Sequence, residues 1–380
     1  MSANGAATTD QPARNTLSHA GQLIGVLCDA DLIDRADLLS ASVEITDISR
    51  RNRNYFVHVG GQRRYVVKCA DGQTGLGTVT HEARAYNWLS DTTDYPGFPV
   101  TPRRYLWAAD SGMLVLEAVD PAISAGVIAR SDQGLSLSRA RMIGRSLASL
   151  HDCPVVEGSL PVLPRDWFLS VHLPSLAAAE NMSFAALGLT RQIQQHKPFC
   201  DALDALSDQW CADAPINSDV KWDNILFRQH ASGPGGRQPV FLDWEFLGHG
   251  DRAWDIGSII AEYLYAWTHT GLHKLSDPAG IDAAMNYALE AHLDEVGAFW
   301  TGYVGRADLP ANRAATLLQK AIQFAAGRLV LKCFEAMQEQ SGKADGTGPT
   351  LQLAANLLAR PVEAAVHLLA LPIAPDRRAA

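Results

Sequence analysis

Cysteine, net positive charge and long apolar runs are all scarce in this 380-residue chain. Its six cysteines show neither the C-x-x-C spacing of a zinc site nor the density of a disulfide scaffold. The formal net charge of -9 argues against binding to nucleic acid or to anionic membranes, because both attract clustered lysine and arginine. Uncharged apolar stretches stay below the roughly 18 residues that a membrane span requires. We therefore expect a cytoplasmic protein whose partners are small molecules or peptides.

The first part of the chain has the pattern of a small sheet. Residues 1–15 have almost no large apolar side chains and are predicted to be a flexible tail. Runs of β-branched and aromatic residues broken by turns then predict strands at 42–48, 55–59, 64–69 and 113–118. Gly60-Gly61 is typical of a hairpin turn, and a helix is expected around 80–90. Residues 16–120 are therefore predicted to form a strand-rich, nucleotide-binding N-lobe.

Helical patterns prevail from residue 121 onwards. Apolar residues in 138–151 recur every three or four positions and so share one helix face. Two short strands, 224–228 and 239–243, are expected around a glycine-rich turn, and the chain beyond 255 is helical almost to its end. Residues 121–380 are thus predicted to form a large, mainly helical C-lobe, and the fold class is α+β with two lobes.

The most informative stretches of the sequence are 217–227 and 240–245. Transfer of a phosphoryl group to a hydroxyl needs a carboxylate beside the attacking oxygen, and oxygen ligands that hold Mg²⁺ across the nucleotide phosphates. Asp219 opens a loop, Asn224 starts one predicted strand, and Asp243 ends the next, so a hairpin would bring all three together. We predict that Asp219 is the catalytic base and that Asn224 and Asp243 bind Mg²⁺.

The N-lobe offers a positive charge that complements these carboxylates. Lys68 ends a predicted apolar strand, and Glu82 lies on the helix that follows. A lysine directed at nucleotide phosphates must be held in place, and a glutamate on a facing helix can hold it. We therefore predict that Lys68 contacts the phosphates of ATP and that Glu82 is its ion-pair partner.

These motifs resemble those of the aminoglycoside phosphotransferase and choline kinase family, which has the two-lobed protein-kinase-like fold. The resemblance covers roughly residues 40–260 and rests on Asp219, Asn224, Asp243-Trp244-Glu245, Gly250-Asp-Arg-Ala-Trp-Asp255 and Leu150-His151. It implies that ATP lies between the lobes, with its adenine edge on the backbone near Glu117 to Val119. It also implies that the Asp255 carboxylate braces the catalytic loop, while His151 is expected to be buried and hydrogen-bonded.

The catalytic loop departs from the family pattern at two places. Asn217-Ser218 stands where the family often has His-Gly, and Lys221 stands where antibiotic kinases commonly have histidine. Ser/Thr protein kinases have a lysine at the second place, where a cation can stabilise the transferring phosphoryl group. We predict that role for Lys221.

The nucleotide loop, residues 49–54, departs from the pattern because it contains no glycine. Glycine lets the backbone approach phosphates closely, so this loop requires another source of attraction. Arg51, Asn52 and Arg53 are expected to contact the nucleotide instead.

The sequence as a whole predicts an ATP-dependent phosphotransferase that acts on a hydroxyl group, with two kinds of acceptor open. One is a small molecule such as a natural product or antibiotic. The other is Ser or Thr of a ribosomally made precursor peptide, which would bring a lyase or other biosynthetic subunit as partner. Residues 257–380 hold 12 Asp and Glu against 10 Lys and Arg, which does not favour a strongly basic antibiotic.

A non-catalytic alternative also remains open. The glycine-free loop and the Asn217-Ser218 pair are compatible with a pseudokinase that binds or scaffolds without turnover. The enzyme is favoured by the intact set of Lys68, Glu82, Asp219, Asn224 and Asp243.

Overall fold

The computed structural model describes residues 11–40, 42–49, 53–92, 95, 98–131, 134–164, 169–229, 238–273, 281–339 and 347–371. Two predicted nucleotide contacts, Arg51 and Asn52, lie outside these residues. The chain divides into two compact units. The first unit is Met1–Asn87 with Pro102–Pro121, and the second is Trp88–Thr101 with Ala122–Ala380.

A five-stranded antiparallel sheet forms the centre of the first unit, in the order β1-β2-β3-β5-β4. The strands are β1 (Val43–Asp47), β2 (Arg53–Val59), β3 (Gln62–Cys69), β4 (Arg104–Ala108) and β5 (Met113–Glu117). Gly60 and Gly61 join β2 to β3 with φ angles of 60° and 77°. Positive φ at both central residues matches the twist of the flanking strands, so the hairpin predicted at this pair is confirmed.

Three helices accompany this sheet in sequence: α1 (Gln11–Asp29), α2 (Arg35–Leu39) and α3 (Gly72–Thr92). Leu23 and Leu27 of α1 are buried in one apolar cluster with Val57 and Val67 of the sheet. Burial of each leucine contributes about 2 kcal/mol, which holds the helix against the sheet. Helix α1 begins at Gln11, so residues 11–15, expected to belong to a tail, are helical. Helix α1 therefore extends into the segment that was predicted to be a tail.

Helices form most of the second unit. They are α4 (Ala125–Ala129), α5 (Leu137–His151), α6 (Leu176–Glu180), α7 (Phe184–Gln194), α8 (Lys197–Asp208), α9 (Arg252–His273), α10 (Ile281–Ala307), α11 (Ala311–Glu339) and α12 (Thr347–Ala359). Among the described residues, none of the helices is long and apolar enough to cross a membrane.

Two small sheets in the second unit position the catalytic loop. One contains β6 (Ala122–Ser124), β8 (Ile225–Arg228) and β9 (Pro239–Phe241), and the other pairs β7 (Ala214–Ile216) with β10 (Gly248–Gly250). The β8–β9 hairpin predicted from the sequence is confirmed. The α+β fold class is confirmed as well, with a small antiparallel sheet in one unit and a larger, mainly helical second unit.

Candidate active site

The loop between β7 and β8 is held at its start by a buried carboxylate. Asp255, at the beginning of α9, accepts the Asn217 N–H at 2.8 Å through Oδ2 and the Ser218 N–H at 3.0 Å through Oδ1. Trp254 donates its indole N–H to the Ser218 carbonyl at 2.8 Å. Ser218 has a φ of 71°, a left-handed conformation that these three bonds stabilise. The bracing contact expected of Asp255 is therefore present.

His151 also contacts the Asp255 carboxylate. Its Nε2 lies 3.4 Å from Asp255 Oδ2, and its Nδ1 lies 2.9 Å from the hydroxyl of Tyr303. The imidazole is 2% exposed, so it has no route to a substrate in solution. His151 is the buried, hydrogen-bonded histidine that the sequence predicts.

Asn217 joins two backbone segments of the site through its side-chain amide. Its Oδ1 accepts the backbone N–H of Asp219 at 3.2 Å, and its Nδ2 donates to the backbone carbonyl of Asp243 at 3.3 Å. The side chain is 1% exposed. A single buried amide thus connects the loop that carries Asp219 to the strand that leads to Asp243.

The β8–β9 hairpin brings the predicted metal ligands together. Ile225 is opposite Phe241 in the register, and the Leu242 N–H donates to the Asn224 carbonyl at 2.8 Å. Asp243 follows directly, and its φ of 58° turns the chain away from the strand. Asn224 donates through Nδ2 to the Asp219 carbonyl at 3.1 Å. Within the second unit, Asp219, Asn224 and Asp243 therefore form one cluster, as the sequence predicts.

This cluster offers donor atoms that suit Mg²⁺. Because Asn224 uses its Nδ2 to bond the loop, its Oδ1 lies on the opposite branch of the amide. Asp243 adds a partly exposed carboxylate. A carboxylate and an amide oxygen are hard ligands of the kind that Mg²⁺ takes alongside phosphate oxygens and water.

Two cations contact the Asp219 carboxylate, one at each oxygen. Lys221 Nζ lies 2.6 Å from Oδ2, and Arg328 Nη2 lies 2.9 Å from Oδ1. Burial alone would raise the pKa of Asp219, but Arg328 and then Lys221 outweigh it and lower the pKa below its ordinary value. The pKa of Lys221 is raised for the complementary reason, since the attraction of Asp219 outweighs its desolvation. Asp219 is therefore an ionised carboxylate at neutral pH.

Arg328, which was not among the predicted site residues, lies on α11 and is 109 residues from Asp219. Its side chain is 2% exposed, although arginine is almost never fully buried unless it is paired. One signal was available in the sequence. Residues 321–331 contain a single charged residue in an apolar helical run, and a lone arginine there implies a buried partner.

The ion pair predicted in the first unit forms. Lys68 Nζ lies 2.7 Å from both carboxylate oxygens of Glu82, so the contact is bidentate. Glu82 is 1% exposed, and Lys68 stands on β3 between Asn54 of β2 and Leu114 of β5. A central strand of the sheet and helix α3 therefore fix the direction of the lysine.

The other predicted nucleotide contacts of the first unit lie on or beside the sheet. Arg53 begins β2 and pairs with Asp71 at 3.3 Å. Glu117 ends β5, where its N–H bonds the Arg103 carbonyl at 2.8 Å. Val119 follows outside the strands, and no backbone hydrogen bond joins it to another described residue. The Glu117 N–H is thus engaged within its own unit, and the contact of either residue with adenine stays a prediction.

Several solved structures are similar to this chain. The choline kinase LicA from Streptococcus pneumoniae is 14% identical, with 90% of this chain and 99% of that chain covered and a TM-score of 0.47. APH(2")-IIIa, solved as a complex with GDP and kanamycin, is 14% identical, with 88% of this chain and 99% of that chain covered and a TM-score of 0.48. A proposed fructosamine-3-kinase from Thermobifida fusca YX-ER1 is 18% identical, with 84% of this chain and 93% of that chain covered and a TM-score of 0.43. A search of curated proteins found no match.

The family comparison is more direct, because it depends on the sequence pattern over most of both units. The profile of the phosphotransferase enzyme family matches residues 44–293, well over half of the chain. That range begins in β1 and includes Lys68, Asp219, Asn224 and Asp243. This chain belongs to the phosphotransferase enzyme family.

Proposed function

We propose that this enzyme transfers the γ-phosphate of ATP to a hydroxyl group, with Asp219 receiving the hydroxyl proton. The cluster of Asp219, Asn224 and Asp243 at one end of the β8–β9 hairpin is the observation that carries the proposal. Each residue type suits its role, since a carboxylate can orient a hydroxyl while amide and carboxylate oxygens bind a divalent cation.

Asp219 acts mainly by orientation in this mechanism. The acceptor hydroxyl donates to its carboxylate, the acceptor oxygen bonds to the γ-phosphorus, and the bond from that phosphorus to the bridging oxygen of ADP breaks. Because its pKa is lowered, Asp219 takes the proton only as the new bond forms, which suits a loose transition state. Lys221, beside the same carboxylate, supplies positive charge to the transferring group.

Asn224 and Asp243 would hold Mg²⁺. When bound, the ion neutralises charge that develops on the phosphate oxygens. In the first unit, Lys68 would bind the nucleotide phosphates while Glu82 fixes its direction. Backbone groups at Val119 are suited to the adenine edge, and Glu117, Arg51, Asn52 and Arg53 stay predicted contacts of the nucleotide.

The acceptor is proposed to be a hydroxyl-bearing small molecule or a Ser/Thr side chain of a peptide. Lys221 supports the peptide reading, since it occupies the place of the Ser/Thr protein kinase lysine. Incubation with ATP and Mg²⁺, followed by mass spectrometry of products, would separate the two. The panel should contain hydroxylated antibiotics, choline-like alcohols and Ser/Thr peptides, and a peptide product would justify a search for a partner lyase.

Asp219→Asn tests the proposed base without dependence on the acceptor. With water as acceptor, we expect MgATP hydrolysis to fall by about 100-fold or more while the affinity for MgATP is kept. Asp223→Asn is the matched control, since Asp223 lies in the same loop but is 60% exposed and pairs with Arg130. Undiminished hydrolysis by Asp219→Asn would remove Asp219 from the reaction.

A pseudokinase is the second candidate, and the two cations on Asp219 are the observation that favours it. A carboxylate engaged at both oxygens is a weak acceptor unless one cation moves. A thermal shift with MgATP but no hydrolysis and no phosphorylated product across the panel would support a binding role. Turnover that depends on Asp219 would exclude it.

A further inference from the structure

Arg328 stands out as a buried charge directed at the proposed base from a distant part of the chain. It lies on α11, its side chain is 2% exposed, and its Nη2 is 2.9 Å from Asp219 Oδ1. Removing a guanidinium from water is costly, so its burial requires paired charge and a fixed geometry. The contact therefore reflects a built-in feature of the helix packing.

The charges around Arg328 come from three elements of the second unit. Asp219 is on the loop before β8, Glu335 Oε1 on α11 lies 3.9 Å from Nη1, and Glu262 of α9 adds a weaker attraction. Burial alone would lower the pKa of Arg328, yet these carboxylates raise it, with Asp219 the strongest. Arg328 therefore keeps its charge throughout the accessible pH range.

The two oxygens of Asp219 have different surroundings. Oδ1 is bonded by Arg328, which is fixed inside the helical unit. Oδ2 is bonded by Lys221, whose side chain is 32% exposed, and lies 3.4 Å from Asn224 Nδ2. A partly exposed loop lysine can exchange its carboxylate for a phosphate, whereas a buried helix arginine cannot. One oxygen is thus permanently held and the other can be released.

We propose that Arg328 is a positioning residue that fixes Asp219 through Oδ1, so that Oδ2 faces the acceptor hydroxyl once Lys221 turns to the transferring phosphoryl group. The inference rests on the proposed role of Asp219. It assigns the two cations different tasks: Lys221 stabilises charge during transfer, and Arg328 keeps the carboxylate oriented. Misplacement of a reacting group by about 1 Å can reduce rates about 100-fold, which sets the expected effect.

Arg328→Ala and Arg328→Lys are the informative variants, with Arg313→Ala as control. Arg313 also lies on α11, but its side chain is exposed. For Arg328→Ala, we expect kcat for MgATP hydrolysis to fall about 100-fold with KM for ATP nearly unchanged. Guanidinium ion at millimolar concentration should restore at least about 10-fold of that loss, because it can occupy the space left by the side chain.

A second readout does not depend on activity. Urea denaturation of the wild type, Arg328→Ala, Asp219→Asn and the double variant gives the coupling energy between the two side chains. The double variant should lose clearly less stability than the two single variants together, because both charges of the pair are then removed. Arg328→Lys keeps the charge and is expected to fold, with about a 10-fold loss of kcat, because lysine lacks the planar fork.

These outcomes separate the two proposals. If Arg328→Ala, or Arg328→Lys where the alanine variant does not fold, keeps the wild-type kcat, the positioning role is wrong. If Asp219→Asn itself hydrolyses MgATP normally, the proposed function fails, while the coupling energy still decides whether Arg328 holds Asp219.

Discussion

Gly257 of α9 lies so close to α11 that a methyl group added to it would be 2.8 Å from the backbone nitrogen of Ala325. The Ala321 carbonyl would be at 2.5 Å from the same methyl group. Backbone atoms cannot move aside as a flexible side chain can, so the glycine sets the distance between the two helices. Arg328 follows on the next turn of α11, and its reach to Asp219 depends on that distance.

Gly257→Ala should therefore separate the helices and weaken the site. We expect the free energy of unfolding to fall by about 2 kcal/mol, as for other overpacked cores, and MgATP hydrolysis to fall with it. Urea denaturation measures the first effect. Gly188→Ala is the control, since Gly188 is in α7 and a methyl group added to it would have no atoms nearby. The free energy of unfolding of this variant should rise by up to about 1 kcal/mol. A Gly257→Ala protein as stable as the wild type would contradict the close approach.

Ser218 carries a second backbone constraint, with a φ of 71° in the catalytic loop. The left-handed region costs a residue with a Cβ about 1 kcal/mol, and glycine avoids this cost. Ser218→Gly should raise the free energy of unfolding by about 0.5 kcal/mol and leave hydrolysis unchanged, because the Asp255 contact uses the backbone N–H. Ser138→Gly, at an exposed helical position of α5, should instead lower the free energy of unfolding. Equal destabilisation by both changes would argue against strain at Ser218.

The sequence was most predictive where the interaction is local or follows a fixed order. The β8–β9 hairpin could be expected because each strand has its own pattern and the turn lies between them. The pair of Lys68 and Glu82 could be expected because a strand and the next helix pack together. Asp243 was placed at a strand end, but β9 ends at Phe241, since the left-handed backbone at Asp243 leaves the ladder.

Contacts between elements that are far apart in the sequence could not be predicted from the sequence pattern. Arg328 meets Asp219 where α9 and α11 pack closely at Gly257, and the sequence pattern does not indicate which helices meet. The same holds for Asn217. Its position in the motif was clear, but its bond to the Asp243 carbonyl depends on how the loop and hairpin meet.

Lys68 and Glu82 should show strong energetic coupling. Lys68→Met leaves a carboxylate that is 1% exposed without its ammonium partner, at a cost of about 3 kcal/mol. Glu82→Gln should cost a similar amount, but the double variant should cost less than the sum, because both charges are then removed. Urea denaturation of the four proteins gives the coupling energy, and additive costs would contradict a buried ion pair. Weaker MgATP binding is expected in all three variants.

The stability contributed by Asp219 should depend on pH in a defined direction. Its pKa in the folded protein lies below the ordinary value of 3.8, because Arg328 and Lys221 outweigh the effect of burial. A lowered pKa means that the contribution is fully present above the unfolded value and is lost as the pH falls through the folded value. Asp219→Asn removes the charge at every pH and takes from buried Arg328 its nearest carboxylate, at a cost of about 3 kcal/mol near neutral pH. The difference in free energy of unfolding between wild type and Asp219→Asn should thus stay constant between about pH 5 and pH 7 and shrink only below about pH 4. A difference that grows on acidification would contradict the assigned direction of the shift.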